Sequence, residues 1–186
     1  MKMRTFSYLI AGATLAGLVI GNRNSQENSQ EINLSVKNSA EDVPFGPVYS
    51  TNSVPANMCS RYVRVAAKDL FGIQYPHANA WDIRDHATVS EIPIKSKEEL
   101  IKLAKEGFMK RGMALGLYNP KSKYNDVARD DGAGYTHVAL YLGMDKEGKM
   151  YFADKFGKET RERTSLDELL EKGNLQPREL LFLNNQ

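Results

Sequence analysis

The chain has 186 residues, with 25 Lys and Arg against 23 Asp and Glu, and a formal net charge of +2. Because the two signs are interleaved along the chain rather than clustered, this balance argues against nucleic acid as a partner. The chain has one cysteine and three histidines, which excludes an intramolecular disulfide framework and limits the groups that could carry thiol chemistry.

The N-terminal residues have the pattern of an export signal. Residues 1–4 are basic, and residues 6–20 are apolar or small apart from Ser7 and Thr14. This run is short for a membrane span, which needs about 20 residues, but it suits the apolar region of a secretory signal. We expect residues 1–21 to be a signal peptide, or residues 6–21 to remain as a membrane anchor, on a secreted or extracytoplasmic protein.

Residues 22–42 are dominated by Asn, Gln, Ser and Glu. Such a segment buries too little apolar surface to offset the loss of chain entropy, so we expect a disordered polar linker. Residues 43–186 have the length of one domain with a hydrophobic core.

The only cysteine, Cys59, lies near the start of a predicted helix that runs to Gly72, with Asn57 as the expected N-terminal cap. The partial positive charge of a helix N-terminus favours a thiolate, which is the nucleophilic form of cysteine. The alternative is a small buried side chain, because Tyr62 and Val63 follow on the inward face of the same helix. The segment alone does not decide between them.

The middle of the domain alternates loops with regular elements. A loop at residues 75–82 carries the only tryptophan, Trp81. Ser96 and Glu99 form a capping box that opens a predicted helix at residues 97–109. A strand is predicted at residues 111–118, because Met113, Leu115 and Leu117 share one face, and residues 119–131 form a polar loop.

The second half of the domain predicts an antiparallel sheet. Residues 135–143 give the strongest strand pattern, followed by a turn at residues 145–148 and a strand at residues 149–154. A helix is expected to open at Thr164 or Ser165, with Glu168 completing a capping box, and residues 180–183 form a last strand. A helix followed by an antiparallel sheet is typical of the α+β class.

A cysteine nucleophile needs a base, and histidine suits that task near neutral pH. His77 and His86 lie in a loop, where solvated or groove-rim positions are expected. His137 lies at the start of the strand with the clearest sequence pattern. There its ring could face a cleft, or it could be buried in the core with its hydrogen bonds formed. The histidines and the cysteine offer no close-spaced ligand pair, so neither a metal nor another cofactor is expected.

These segments together resemble the papain-like cell-wall hydrolases, the CHAP amidases and NlpC-type peptidases. The resemblance covers residues 47–154 and depends on Cys59 at a helix start, the Ala80-Trp81 loop and the Gly-x-x-His-Val-Ala-x-Tyr-Leu-Gly pattern of residues 134–143. It implies a papain-like fold, with the nucleophile helix packed on an antiparallel sheet. It also implies a thiol amidase or peptidase acting on cell-wall polymer or peptide.

The resemblance also implies roles for individual residues. Cys59 would be the nucleophile, His137 the base and Asp154 the residue that orients the histidine. Five further residues are predicted to bind the oxyanion or the substrate: Tyr49, Asn57, Ser60, Asn79 and Trp81. Of these, Tyr49 is favoured over Asn57 as the second oxyanion donor, beside the backbone N–H of Cys59.

The role of Asp154 depends on hairpin register. A four-residue loop at residues 145–148 pairs Ala139 with Asp154 and brings Asp154 to the same face as His137, whereas a three-residue loop separates them. Because Gly148 also permits a bulge, the sequence leaves the register open. In the alternative, Asp154 is a surface charge at the end of a strand.

Two other functions use the same scaffold. One is a non-catalytic module that binds wall or protein, and the other is a thiol acyl transferase. Retention of Cys59, His137 and Asp154 argues against the binding module. The acyl transferase is expected to carry another apolar membrane segment near its active site, and the sequence has none. A membrane is expected as a partner only through the N-terminal segment.

Overall fold

The computed structural model describes residues 53–130 and 132–184. The predictions for the export signal, for the polar linker, for the start of the domain at Val43 and for Tyr49 lie outside these residues. Within the described residues, no helix combines the length and the apolar character that a membrane span requires.

The described residues form one antiparallel sheet with helices packed against it, which confirms the α+β class. The sheet order is β1-β6-β2-β3-β4-β5, and all neighbours are antiparallel. The helices are α1 (Cys59–Phe71), α2 (Lys97–Lys105), α3 (Asn125–Asp130) and α4 (Leu166–Gly173), and the strands are β1 (Val89–Pro93), β2 (Ala114–Tyr118), β3 (His137–Met144), β4 (Met150–Phe156), β5 (Glu159–Ser165) and β6 (Gln176–Leu183).

The sheet separates two apolar clusters, because alternate residues of a strand point to opposite faces. On one face, Val138 and Leu140 of β3 pack with the buried side of α1. On the other face, Met113 and its strand neighbours Leu115 and Leu117 pack with α2 and α4, as their predicted common face requires. Helix α1 therefore lies directly over β3 and β4, the two strands that carry His137 and Asp154.

The start of α1 differs from the prediction. Its N-terminal cap position is Met58, whose side chain forms no capping hydrogen bond. Asn57 instead adopts a left-handed φ of 62°, and its backbone N–H donates to the carbonyl of Gly157 at 2.9 Å. The cap assigned to Asn57 is therefore wrong, because this contact with the β4–β5 turn fixes Asn57 in another conformation. The end of the helix at Gly72 is confirmed by its left-handed φ of 71°.

The two capping boxes have different outcomes. Ser165 and Glu168 form both reciprocal hydrogen bonds at the start of α4, as predicted. At α2, Ser96 accepts from the N–H of Glu99, but the Glu99 carboxylate accepts from Lys95, so only half of the box forms. This helix ends at Lys105 rather than at residue 109, because the chain turns through Gly107 with a φ of 77°.

The sequence patterns missed β1, α3 and β5. Strand β5 has the sequence Glu-Thr-Arg-Glu-Arg-Thr-Ser and lies at the sheet edge, where its outward side chains are solvated. Because its composition is polar, the sequence pattern did not predict a strand here. The strand nevertheless pairs with β4, and this pairing buries Arg161 and Thr164. Helix α3 has 6 residues and lies within the segment predicted as polar loop.

Gly116 leaves the space in which the ring of Tyr135 packs against β2. A Cβ at Gly116 would lie 2.9–3.0 Å from ring atoms of Tyr135, which is fully buried and cannot move aside. We expect Gly116→Ala to lower the free energy of unfolding by about 1–3 kcal/mol, measured by urea denaturation. It should also change the alkylation rate of Cys59, because Tyr135 lies two residues before His137.

The matched control is Gly107→Ala. Its Cβ would meet open space, but its φ of 77° makes the variant cost about 1 kcal/mol through backbone strain. This control should lose stability without altering the alkylation rate of Cys59. A Gly116→Ala protein with wild-type stability contradicts the packing constraint.

Candidate active site

Cys59 is the first residue of α1, and its side chain is 9% exposed. The N–H groups of Ser60 and Val138 donate hydrogen bonds to its sulfur. The carbonyl oxygen of Thr136 lies 4.0 Å from Sγ, which is too long for a strong hydrogen bond. The sulfur is therefore surrounded mainly by donors, which stabilise a thiolate.

His137 is the first residue of β3 and is 5% exposed. Its Nε2 lies 2.6 Å from Oδ2 of Asp154, and its ring meets the edge of Phe156 with centroids 5.3 Å apart. The ring also forms a hydrogen bond with Cys59. Because Asp154 occupies Nε2, the nitrogen that faces the sulfur is Nδ1. The imidazole therefore bridges the thiol and the carboxylate.

Asp154 is completely buried in β4, so its interpretation as a surface charge is wrong. Leu140 pairs with Ala153, which is the register that the four-residue loop predicts. Near the turn, however, Met144 pairs with Met150, and an irregularity between Tyr141 and Gly143 absorbs the extra residue. A bulge, rather than loop length alone, thus brings Asp154 beside His137.

Arg161 is a site residue that sequence reasoning missed. It lies opposite Asp154 on β5, its Nε donates to Oδ1 of Asp154 at 2.6 Å, and its second terminal nitrogen binds Oδ2. Its side chain is 2% exposed, and its guanidinium carbon lies 4.7 Å from the ring centre of Phe156. No local signal distinguishes Arg161 from the exposed charges beside it on β5, because only the pairing with β4 makes it special.

The pKa shifts reflect these contacts. Burial raises the pKa of the Cys59 thiol, but the adjacent charge of His137 and the hydrogen bonds to the sulfur outweigh burial and lower it overall. Burial lowers the pKa of His137, while the Cys59 thiolate and the bond to Asp154 raise it to about 9. Hydrogen bonds from His137 and Arg161 hold the pKa of Asp154 below its usual range despite burial. These directions favour alternating charge along the row of four side chains, with a thiolate, an imidazolium, a carboxylate and a guanidinium in turn.

Cys59 lies between two cavities and lines both of them. The first, of about 860 Å³, extends toward the loop of Trp81, and the second, of about 530 Å³, extends toward the β4–β5 turn. Asn57, Tyr124 and Thr136 also belong to both walls. A ligand can therefore pass across the sulfur with one part in each cavity.

Four of the predicted binding residues line the first cavity: Asn57, Ser60, Asn79 and Trp81. The amide of Asn79 donates to Asp82 at 2.7 Å, and Trp81 packs against Tyr124 with ring centroids 5.3 Å apart. Tyr124 lies in the segment predicted as polar loop, so its place in the groove was missed.

The other two histidines do not contact the thiol. His77 is exposed and lines the first cavity, which agrees with a groove-rim position. His86 is exposed, and its Nδ1 lies 2.8 Å from the hydroxyl of Thr88, away from both cavities.

Comparison of the chain with protein-family models, curated proteins and solved structures finds no match. The functional inference therefore depends on the residues of the site itself. No group of three or more His, Cys, Asp or Glu within the described ranges is arranged to hold a metal ion.

The coupling of the thiol and the imidazole predicts their response to pH. Replacing Cys59 with Ser removes the thiolate that raises the pKa of His137, so the imidazolium should lose its proton well below pH 9, as followed by NMR of the ring. In the wild type, the rate of alkylation by iodoacetamide should rise at a pH below the free thiol value of about 8.5. Unchanged titration of His137 in Cys59→Ser, or an inflection at the free value, contradicts the ion pair.

The contact between Arg161 and Asp154 predicts a large effect on stability. At pH 7, Arg161→Met leaves a completely buried carboxylate with His137 as its one remaining cation and with Oδ1 without its donor, so the free energy of unfolding should fall by about 3–5 kcal/mol. Arg161→Lys keeps the charge but loses the two parallel hydrogen bonds of the guanidinium. It should lower the free energy of unfolding by less than Arg161→Met does. The exposed Arg163→Met is the control on the same strand, with a loss below about 1 kcal/mol.

The stability deficit of Arg161→Met relative to the wild type should become smaller in acid. Because the folded pKa of Asp154 lies below its unfolded value of about 3.9, its stabilisation is present above that pH and disappears as the pH falls through the folded pKa. Urea denaturation at pH 7 and pH 3 measures this change. An Arg161→Met deficit that persists unchanged at pH 3 contradicts a role through the Asp154 carboxylate.

Proposed function

We propose that the chain is a cysteine-dependent amidase or endopeptidase of papain-like organisation. The main support is the bridging imidazole, which binds Asp154 through Nε2 and so directs Nδ1 to Cys59. The order of a nucleophile helix followed by an antiparallel sheet is compatible with this organisation. We further propose an exported enzyme that cleaves amide bonds of cell-wall peptides, as the resemblance in sequence implies.

In the first half of the reaction, the Cys59 thiolate attacks the amide carbonyl and forms a carbon–sulfur bond, while the carbonyl electron pair moves to oxygen. His137 donates the proton on Nδ1 to the amide nitrogen. The carbon–nitrogen bond then breaks, the amine leaves, and an acyl thioester remains on Cys59. Asp154 holds the ring in place through Nε2.

In the second half, the neutral imidazole of His137 takes a proton from water. The resulting hydroxide attacks the thioester carbonyl, the carbon–sulfur bond breaks, and the thiolate of Cys59 is regenerated beside the imidazolium. The product is a carboxylic acid. Both half-reactions use the same nitrogen, Nδ1, because Nε2 remains bound to Asp154.

The negative charge on the carbonyl oxygen needs hydrogen-bond donors. The backbone N–H of Cys59 can serve, because it belongs to the first turn of a helix whose cap residue, Met58, forms no side-chain capping bond. The side chain of Asn57 lines both cavities beside the sulfur and is the second candidate among the described residues. Tyr49 remains a prediction for the same role.

The arrangement favours catalysis over simple binding. A buried row of alternating charges is costly to desolvate, and a binding module would gain nothing from orienting an imidazole toward a thiol. The groove is open on both sides of Cys59, so the acyl and amine parts of a peptide can be accommodated together with water. These features favour hydrolysis of an extended substrate.

The test is the release of new amine and carboxyl ends from peptide-crosslinked peptidoglycan, followed by mass spectrometry. Cys59→Ser should abolish cleavage, and His137→Ala should reduce kcat/KM by about 10²–10⁴-fold, because general acid–base catalysis is lost. Asp154→Ala should be more damaging than Asp154→Asn, since alanine also frees the ring to rotate. His86→Ala, which changes a histidine outside the groove, should keep most activity.

Two outcomes would contradict the proposal. One is an inactive His86→Ala protein beside an active His137→Ala protein. The other is a wild-type protein that releases no new ends and whose Cys59 reacts with iodoacetamide only after denaturation.

A further inference from the structure

The two cavities beside Cys59 differ in charge. The wall of the first contains Arg61 and Arg64 together with the carboxylate of Asp82. The second contains three lysines, Lys121, Lys123 and Lys155, and no carboxylate among the described residues that line it. The second cavity is therefore the more strongly positive half of the groove.

Lys155 is an unusual member of this wall. It follows Asp154 on β4 and is 8% exposed, and its Nζ donates to the hydroxyl of Thr160 at 2.7 Å. Within the described residues it forms no ion pair. A lysine with so little exposed surface is normally paired with an anion. An anionic group on a ligand in the second cavity would supply that match.

Lys121 and Lys123 belong to the loop before α3 and are exposed. Lys123 lies with its Nζ 4.9 Å from the ring centre of Tyr124, which itself lines the groove. Neither lysine is paired with a carboxylate in the part of the chain that the structure describes. They extend the positive wall from the buried Lys155 out to the mouth of the cavity.

The position of His137 assigns this cavity to one part of the substrate. His137 lines the second cavity but not the first. Because its imidazolium gives a proton to the departing nitrogen, the fragment that carries this nitrogen lies on the histidine side of the sulfur. We propose that the lysine-lined cavity binds a carboxylate on the amine-side fragment of the substrate. This inference depends on the proposed amidase function.

The carboxylate can come from two sources with the same chemistry. It is either the free α-carboxylate of a departing amino acid or an acidic side chain in a longer departing peptide. Lysine ammonium groups act as point charges and do not require the two-point geometry of an arginine fork, so they accept both.

The first test compares two alkylating reagents that differ in charge, iodoacetate and iodoacetamide. At pH 7 and low salt, the ratio of their rates at Cys59 is measured in the wild type and in Lys121→Gln/Lys123→Gln. A unit charge about 6–8 Å from an anion in water changes the local concentration of that anion by roughly twofold to threefold, so removal of two lysines from the cavity wall should lower the ratio about fivefold. These lysines are exposed, so the variant should fold.

Two matched variants serve as controls. Lys102→Gln/Lys105→Gln removes the same net charge from α2, outside both cavities, and should leave the ratio within about twofold of the wild type. Arg61→Gln/Arg64→Gln removes two charges from the first cavity and should lower the ratio less than the lysine variant does. The inference is overturned if the lysine variant matches the α2 control or if the arginine variant has the larger effect.

The second test uses acyl peptides that differ only in the departing amine: glycine, glutamate α-amide or glycinamide. The substrates that release glycine and glutamate α-amide carry a carboxylate on the departing amine, whereas the one that releases glycinamide does not. We expect kcat/KM for the glycinamide substrate to be about fivefold below that of the better carboxylate substrate. This difference in kcat/KM should disappear in Lys121→Gln/Lys123→Gln. The better acid identifies the source of the carboxylate. Equal values for all three substrates overturn the inference and leave the amidase function intact.

Reaction of Cys59 with neither alkylating reagent overturns the amidase function together with this inference. If Cys59 reacts with both reagents and no variant changes the ratio of the two rates, only the proposed carboxylate site is overturned. The alkylation result therefore decides the inference even where none of the three peptides is cleaved.

Discussion

A row of four buried ionisable side chains connects the helix, the central hairpin and the sheet edge of this protein. The sulfur of Cys59 faces the ring of His137, the Asp154 carboxylate binds the opposite nitrogen of that ring, and Arg161 closes the row from β5. Removing any inner member leaves a buried charge unmatched, which is far more costly than loss of a surface ion pair. The row thus links the stability of the domain to the proposed nucleophile at its end.

The fold provides the geometry that this row needs. Packing of α1 over β3 and β4 holds its uncapped N-terminus against the first residue of β3. The same hairpin fixes the distance between His137 and Asp154, and the edge strand β5 covers the carboxylate from the far side. The loops before β1 and before α3 then supply Trp81 and Tyr124 as walls of the groove. A rigid sheet therefore positions the charges, while loops surround the space that receives a ligand.

The charge on the two sides of the sulfur gives the groove a direction. Three lysines line the same side of the groove as His137, whereas the other side mixes arginines with an aspartate and adds an aromatic wall. In the proposed reaction an amide substrate is itself asymmetric, because its acyl part stays on the thiol and its amine part leaves. Electrostatic asymmetry of this kind selects the direction in which a substrate binds as well as its chemical composition. A substrate bound in the reverse direction would have its anionic group away from the lysines.

Local patterns in the sequence determined the helix of Cys59, its end at Gly72, the box at Ser165 and the strand of His137, because each depends on neighbours within a few residues. The α+β class followed from their order. Tertiary structure decided the conformation of Asn57, which is set by a contact with Gly157, and the burial of Asp154, which needs a bulge to correct the hairpin register. It also decided the role of Arg161, because the hydrogen bonds between β4 and β5 alone distinguish that residue from the solvated charges beside it. Contacts between strands depend on register, and a shift of one residue reverses which face a side chain occupies, so short-range sequence patterns leave them undetermined.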